Sequence, residues 1–95
     1  MDKYIFGVTD KTGREIHLSK ERWRHIKEEH PLVEEEEIKQ TLTNPLKIIQ
    51  KSKNKHFYYQ YFKYKNLPYR YLKVIVRYLN GKGFVITAHF VKRVI

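Results

Sequence analysis

The order of hydrophobic and polar residues predicts a short β-hairpin near the amino terminus. Residues 4–8 are rich in strand-forming side chains, and residues 15–18 alternate polar with apolar side chains. The polar, glycine-containing cluster at residues 10–13 is typical of a turn. We therefore expect two antiparallel strands joined at this turn.

Two helices are predicted next. Ser19 can cap a helix over residues 20–29, and Pro31 stops or kinks that helix. A second helix is expected from residue 32 or 33 to residue 42, and its four consecutive glutamates favour the positive end of the helix dipole. The predicted apolar positions of the two helices are Trp23, Ile26, Val33, Ile38 and Leu42.

Every strong signal after Pro45 is typical of β-strands. The predicted strands cover residues 46–50, 57–64, 69–79 and 84–91. Asn80 and Gly81 favour a type I′ turn between the last two strands. These elements predict an α+β fold, in which the hairpin and both helices pack on one face of a four-stranded antiparallel sheet. A chain of 95 residues is expected to form a single domain, residues 1–95.

Alternation along the last two predicted strands separates a core face from an open face. The residues predicted to face the helices are Leu72, Val74, Val76, Phe84, Ile86, Ala88 and Phe90. The opposite face is predicted to contain Lys73, Arg77, Thr87 and His89. Such residues are also normal on a solvated sheet face that binds nothing, which is the alternative interpretation.

The formal net charge of +10 is distributed unevenly along the chain. All ten acidic residues lie at or before Glu37, whereas residues 38–95 contain thirteen Lys and Arg and no Asp or Glu. A one-sided positive field attracts polyanions, so nucleic acid is the expected partner. A surface that merely aids solubility is the alternative.

Seven of the eight tyrosines lie within residues 58–78, interleaved with Lys and Arg. Aromatic rings on a sheet can stack on bases while neighbouring cations bind phosphates. Tyrosine is also a good strand residue whose ring packs against its neighbours, and this explains most of the seven. The RNA-binding candidates in this region are Tyr59, Tyr61, Arg70, Tyr71 and Lys73.

The sequence shows no standard metal-binding pattern. It has no cysteine, no His-Glu-x-x-His motif and no carboxylate triad. His25 and His30 would lie about 140° apart on an ideal helix, which argues against a zinc pair. We therefore expect no metal and no cofactor. His30 is alternatively a core or capping histidine, while His17 and His56 are expected at the surface.

Residues 1–4 do not resemble the start of a signal peptide, and no 18-residue apolar run occurs. A cytoplasmic protein without membrane contact is therefore expected.

Six short motifs occur in order over about residues 20–92. They are Trp-Arg-His-Ile at 23–26, His-Pro at 30–31, Leu-Thr-Asn-Pro at 42–45, Tyr-Tyr at 58–59, Tyr-Leu-Lys-Val-Ile-Val at 71–76 and Phe-Val-Ile-Thr-Ala-His-Phe at 84–90. Together they resemble the phage-associated barnase/EndoU/colicin/RelE-like (BECR-fold) nuclease family. The resemblance implies a barnase/RelE-like fold and a metal-independent ribonuclease, commonly a toxin or phage-associated effector. It implies His25, His30 and Thr87 as site residues, whereas the position of His89 is often Tyr in that family.

Metal-free RNA cleavage requires a base for the ribose 2′-hydroxyl proton, an acid for the departing 5′-oxygen, and cations around the phosphorus. Histidine suits both proton transfers because its ordinary pKa of about 6.5 is near neutral. We expect His25 or His30 to act opposite His89. Arg77 and Lys73 would hold the phosphate, and Thr87 would donate a hydrogen bond to it.

Two other classes of function fit the same residues. A non-catalytic nucleic-acid-binding module would use the same cations and tyrosines without cleaving RNA. A protein-interaction domain would have its basic face covered by an acidic antitoxin or immunity protein.

Overall fold

The computed structural model describes residues 3–94, and within them it contains two helices and six strands. In chain order these are β1 (Tyr4–Thr9), β2 (Glu15–Ser19), α1 (Lys20–Glu29), α2 (Glu35–Thr43), β3 (Lys47–Ser52), β4 (Lys55–Tyr61), β5 (Tyr71–Leu79) and β6 (Lys82–Val91). The predicted α+β class is confirmed. None of the helices in residues 3–94 has the length and apolar character needed to span a membrane.

All six strands belong to one mixed sheet with the order β1-β2-β6-β5-β4-β3. Strand β2 is parallel to β6, whereas the other neighbours are antiparallel. The prediction of a four-stranded antiparallel sheet is therefore wrong in this detail. The amino-terminal hairpin extends the sheet instead of packing on its face. This pairing satisfies backbone groups of β6 that a four-stranded sheet would leave at an open edge.

The contact between β2 and β6 depends on a close approach at Gly83. A Cβ atom at this position would lie 2.8 Å from the Tyr78 ring, 2.9 Å from the Val76 side chain and 3.0 Å from the Ile16 side chain. Only glycine leaves enough room. The parallel pairing extends over only two residue pairs. Because α1 follows β2 directly, the helix lies along the remaining length of β6.

Local capping explains where the helices begin. The Ser19 side chain accepts a hydrogen bond from the Arg22 backbone N–H at 3.1 Å, as predicted for the start of α1. Helix α2 begins at Glu35, slightly later than predicted. There the Glu37 carboxylate accepts a hydrogen bond from the Glu34 N–H at 2.9 Å, as in a capping box.

The helices and one sheet face enclose the hydrophobic core. The predicted positions Ile26, Val33, Ile38 and Leu42 are all buried, and Trp23 packs against them at the margin. The sheet contributes Leu72, Val74, Val76, Tyr58, Ala88 and Val85 from its inner strands. His56 is 7% exposed, so its prediction as a surface residue is wrong.

A β-bulge interrupts the alternation of β6. Ile75 pairs with Thr87, but the next residue, Val76, pairs with Val85, so that Ile86 is an extra residue in β6. A bulge of this kind reverses the facing of every residue beyond it.

The bulge corrects the predicted facing of two apolar residues. Phe84 pairs with Arg77 on the open face, which is the sheet face opposite the hydrophobic core, and Val85 lies in the core at 1% exposure. Ile86 is only partly buried and is absent from the core cluster of the described chain. The prediction that Phe84 and Ile86 belong to the core face is therefore wrong, whereas Thr87 and His89 lie on the open face as expected.

Candidate active site

Helix α1 and the adjacent part of β6 form a cleft with a volume of about 400 Å³. The cleft is lined by Arg22, His25, Glu29, His30, Ile86, Thr87 and His89. Four of the predicted site residues therefore meet here, namely His25, His30, Thr87 and His89. They come from a helix and a strand that are far apart in the sequence, and β6 and α1 are adjacent because of the short β2–β6 pairing.

The helical period explains one wall of the cleft. Arg22, His25 and Glu29 are spaced i, i+3 and i+7, so their side chains lie on one face of α1. The sequence analysis did not single out Arg22 or Glu29. Their spacing from His25 was the signal that could have identified them.

His30 reaches the cleft because it lies at the end of the helix. It is the C-cap residue of α1, with φ −136° and ψ 68°, and its backbone N–H donates to the Ile26 carbonyl at 2.7 Å. The angular separation of an ideal helix therefore does not apply to His25 and His30. Both imidazoles line the same cleft even though an uninterrupted helix would separate them.

The imidazole rings of His30 and His89 are stacked, with centroids 5.2 Å apart and an angle of 27° between the planes. Burial lowers the pKa of His89, and the positive charges of His30 and Lys73 lower this pKa further. His89 is consequently neutral at neutral pH. A neutral imidazole in an open cleft can accept a proton.

Arg77 lies in an adjoining cavity of about 260 Å³. Arg22 and Ile86 line both this cavity and the cleft, so the two spaces are neighbours. Lys73 pairs with His89 across β5 and β6 on the open face. The two cations predicted to hold a phosphate, Lys73 and Arg77, therefore lie near the histidine cleft, but neither of them lines it.

Three of the RNA-binding candidates lie at a different place on the molecule. Tyr61, Arg70 and Tyr71 line a cavity of about 360 Å³, and the centroids of the two tyrosine rings are 5.0 Å apart. Tyr61 is 42% exposed. Tyr59 is only 1% exposed, so its ring is not presented to a ligand in this conformation. Lys73 lies apart from this cavity, beside His89.

The cleft offers groups for proton transfer and for binding an anion: three imidazoles, a guanidinium, a carboxylate and a hydroxyl. Within residues 3–94, the structure brings no three His, Asp or Glu side chains together at metal-binding distances.

A family model described as phage-Barnase-EndoU-ColicinE5/D-RelE like nuclease2 matches residues 6–94. No curated protein and no solved structure matches the chain significantly. The matched region spans nearly the whole sequence, including α1 and β6, which form the cleft. It is the family that the sequence motifs resemble, so that prediction is confirmed, and a nuclease family implies a nucleic-acid substrate. The chain belongs to the phage-associated barnase/EndoU/colicin/RelE-like family of nucleases.

Proposed function

We propose that the protein is a metal-independent endoribonuclease and that its catalytic groups are the histidines of the cleft. The observation that supports this most strongly is the stacked pair of His30 and His89, in which burial and neighbouring charges keep His89 neutral. RNA provides the 2′-hydroxyl that such a base can deprotonate.

His89 is assigned the role of general base. It takes the proton from the ribose 2′-hydroxyl, and the resulting oxygen attacks the adjacent phosphorus. The bond from phosphorus to the 5′-oxygen breaks, and an imidazolium donates a proton to that oxygen. The products are a 2′,3′-cyclic phosphate and a free 5′-hydroxyl, so no water or metal ion is consumed in this step.

His25 is the better candidate for the general acid. The phosphate has to fit between the base and the acid, and His30 is already in contact with His89. His25 belongs to the opposite wall of the same cleft. His30 is therefore assigned as a positioning residue that orients His89 and, through its positive charge, lowers the pKa of His89.

Cations and a hydroxyl supply the remaining requirement, which is stabilisation of the charged phosphorus centre. Arg22 lines both the cleft and the adjoining cavity, and Arg77 lies in that cavity. The Thr87 hydroxyl, in the cleft, is assigned as a hydrogen-bond donor to a phosphate oxygen.

The test is cleavage of labelled RNA in excess EDTA by the wild-type protein and by His25→Ala, His30→Ala and His89→Ala variants. We expect cleavage by the wild type and a loss of about 10²- to 10⁴-fold for His89→Ala and His25→Ala. Arg24→Gln is the matched control, because Arg24 is exposed on the side of α1 away from the cleft. Unchanged cleavage by all three histidine variants, or a strict metal requirement, would contradict the proposal.

A non-catalytic RNA-binding module is the second candidate, and the exposed Tyr61 and Tyr71 pair beside Arg70 favours it. This alternative predicts that RNA binds with strong salt dependence but that no product forms. Tyr61→Leu and Arg70→Gln would then weaken binding, while the three histidine variants would bind as the wild type does.

The uneven charge also supports a toxin or effector role with an acidic antitoxin or immunity protein as partner. Co-purification of the protein with a co-expressed acidic neighbour, and loss of RNA cleavage in that complex, is the expected result. Undiminished cleavage in the presence of every neighbouring gene product would contradict this role.

A further inference from the structure

Five cations lie on the open face of strands β3 to β5, namely Lys47, Lys51, Lys55, Lys73 and Arg77. None of these five forms an ion pair with an acidic residue anywhere in residues 3–94. The sequence of β3 to β6 contains no Asp or Glu at all. This face therefore has an uncompensated positive charge.

The ring of Phe57 lies close to two of these cations. The Lys73 Nζ atom is 4.1 Å from the centroid of the Phe57 ring, and the Lys51 Nζ atom is 5.5 Å from it. Phe57 is a large apolar side chain, and it is only partly buried because it lies on the sheet face opposite the core. An aromatic ring flanked by ammonium groups is the combination that single-stranded nucleic acids bind through base stacking and phosphate contacts.

The position of Phe57 relative to the cleft is fixed by strand pairing. Phe57 pairs with Ile75, and Ile75 pairs with Thr87, which lines the cleft. Two strand spacings separate Phe57 from Thr87, a distance of about 10 Å. An RNA strand with its scissile phosphate in the cleft can therefore extend across the sheet to Phe57.

The two lysines would gain from a bound anion. Burial lowers the pKa of Lys73, and the charge of Lys51 lowers this pKa further. Like charges held close together repel each other, and a phosphate group between them would remove that repulsion. The long Lys73 side chain can move from the ring face to the phosphate when a base stacks in its place.

We propose that Phe57, Lys51 and Lys73 form a nucleotide-binding subsite for single-stranded RNA that extends from the cleft across the open sheet face. A base stacks on the Phe57 ring, and the lysines bind the adjacent backbone phosphate. This inference rests on the proposed function, because the cleft supplies the starting point of the RNA path. It assigns the substrate class as unpaired RNA that extends beyond the two nucleotides joined by the scissile phosphate.

The experiment compares a dinucleotide with a hexanucleotide as substrate, for the wild type, Phe57→Leu, Phe57→Tyr and Lys51→Gln. We expect the wild type to bind and cleave the hexanucleotide more efficiently. Phe57→Leu should reduce kcat/KM for the hexanucleotide about tenfold and leave the dinucleotide unchanged, whereas Phe57→Tyr should retain the wild-type value. Tyr69→Leu is the control for loss of an exposed aromatic ring.

Salt dependence separates the two parts of the subsite. Lys51→Gln should lower the slope of log affinity against log salt for the hexanucleotide by roughly 0.7, and Phe57→Leu should leave that slope unchanged. Lys11→Gln, an exposed lysine in the β1–β2 turn, should change neither slope nor affinity. Thermal melts of each variant establish that it is folded.

The outcomes distinguish this inference from the nuclease proposal. Cleavage of the dinucleotide with no gain for the hexanucleotide, or equal losses on both substrates in Phe57→Leu, would overturn the subsite and leave the nuclease intact. Hexanucleotide binding that depends on Phe57 and Lys51 without any cleavage would support the subsite and refute the nuclease. Equal competition by polyglutamate, with no effect of Phe57→Leu, would overturn it in favour of an acidic protein partner.

Discussion

Burial is the largest cause of a lowered pKa at two histidines. They are His89 in the cleft and His56 on the core side of β4. The pKa of His56 is lowered further by the charge of Arg14, whereas the nearby Asp10 carboxylate acts to raise it. His89 instead is stacked on His30 and lines an open cleft. A lowered pKa by itself therefore does not identify a catalytic histidine. Access to a ligand distinguishes the two environments.

The surroundings of His56 form a buried polar network. The Arg14 guanidinium donates to the His56 Nε2 atom at 3.4 Å, and the Tyr78 ring meets the His56 ring edge-on at 4.8 Å. The Tyr78 hydroxyl is hydrogen-bonded to that of Tyr58, which donates to the Asp10 carboxylate at 2.5 Å. This network links the β1–β2 turn to the centre of the sheet. Because the residues of this network bind one another, we assign the network a role in the stability of the fold.

Replacing each histidine by alanine should give the largest difference in activity between the cleft, which contains His89, and the buried network, which contains His56. His89→Ala should lower the rate of RNA cleavage about 10²- to 10⁴-fold, because the neutral base is lost. Its unfolding midpoint should change little. His56→Ala is the matched control and should cleave RNA at the wild-type rate under conditions where it is folded. Cleavage assays and denaturant unfolding on both variants measure this, and equal activity losses would refute the distinction.

Tyr58→Phe tests the buried network alone. The Asp10 carboxylate would lose a hydrogen bond in a buried environment, so we expect the free energy of unfolding to fall by about 1–3 kcal/mol. The RNA cleavage rate of the folded variant should not change. Denaturant unfolding at neutral pH provides the measurement. Tyr61→Phe, at an exposed tyrosine, is the control and should leave stability unaltered.

The pH dependence of stability should reflect Asp10. Burial acts to raise the pKa of Asp10, but hydrogen bonds from Tyr58, Thr12 and Arg14 outweigh burial, and the net pKa is lowered from 3.8. A lowered folded-state pKa contributes stability above the unfolded-state value, and this contribution is lost as the pH falls through the folded-state pKa. Asp10→Asn should therefore flatten the acid limb of the unfolding free energy, measured by denaturant titrations from neutral to acidic pH. An unchanged acid limb would contradict this role.

His30→Gln should produce the smallest effect. Removing the His30 charge takes away one cause of the lowered pKa of His89, so this pKa should rise towards its ordinary value. The acid limb of the pH–rate profile should then move to higher pH. The plateau rate should fall less than it does in His89→Ala. A plateau loss as large as that of His89→Ala, with no movement of the limb, would make His30 a proton-transfer residue.

Local features of this fold could be predicted from the sequence because their causes lie within a few residues. The Ser19 cap of α1 is one example. The turn between β5 and β6 is another, since Asn80 and Gly81 both have positive φ, 52° and 80°, as a type I′ turn requires. The alternation of β5 likewise predicted its core residues correctly.

Long-range features could not be predicted in the same way. The parallel pairing of Ile16 with Gly83 joins distant segments, and only the glycine hints at a close approach. The bulge at Ile86 has no distinctive residue type, and it reversed the predicted facing of Phe84. For the cleft, the helical spacing from His25 would have identified Arg22 and Glu29, which the sequence analysis did not single out. The non-helical backbone of His30 is not apparent from spacing alone.

The central claim is that a neutral imidazole in the α1–β6 cleft deprotonates a ribose 2′-hydroxyl. The most direct measurement is product analysis in excess EDTA, with an RNA and a matched RNA that has a single 2′-deoxynucleotide immediately 5′ of the cleaved bond. The account predicts a 2′,3′-cyclic phosphate from the RNA and no cleavage at the deoxy position. Cleavage at the deoxy position, or a product with a 5′-phosphate, would contradict it.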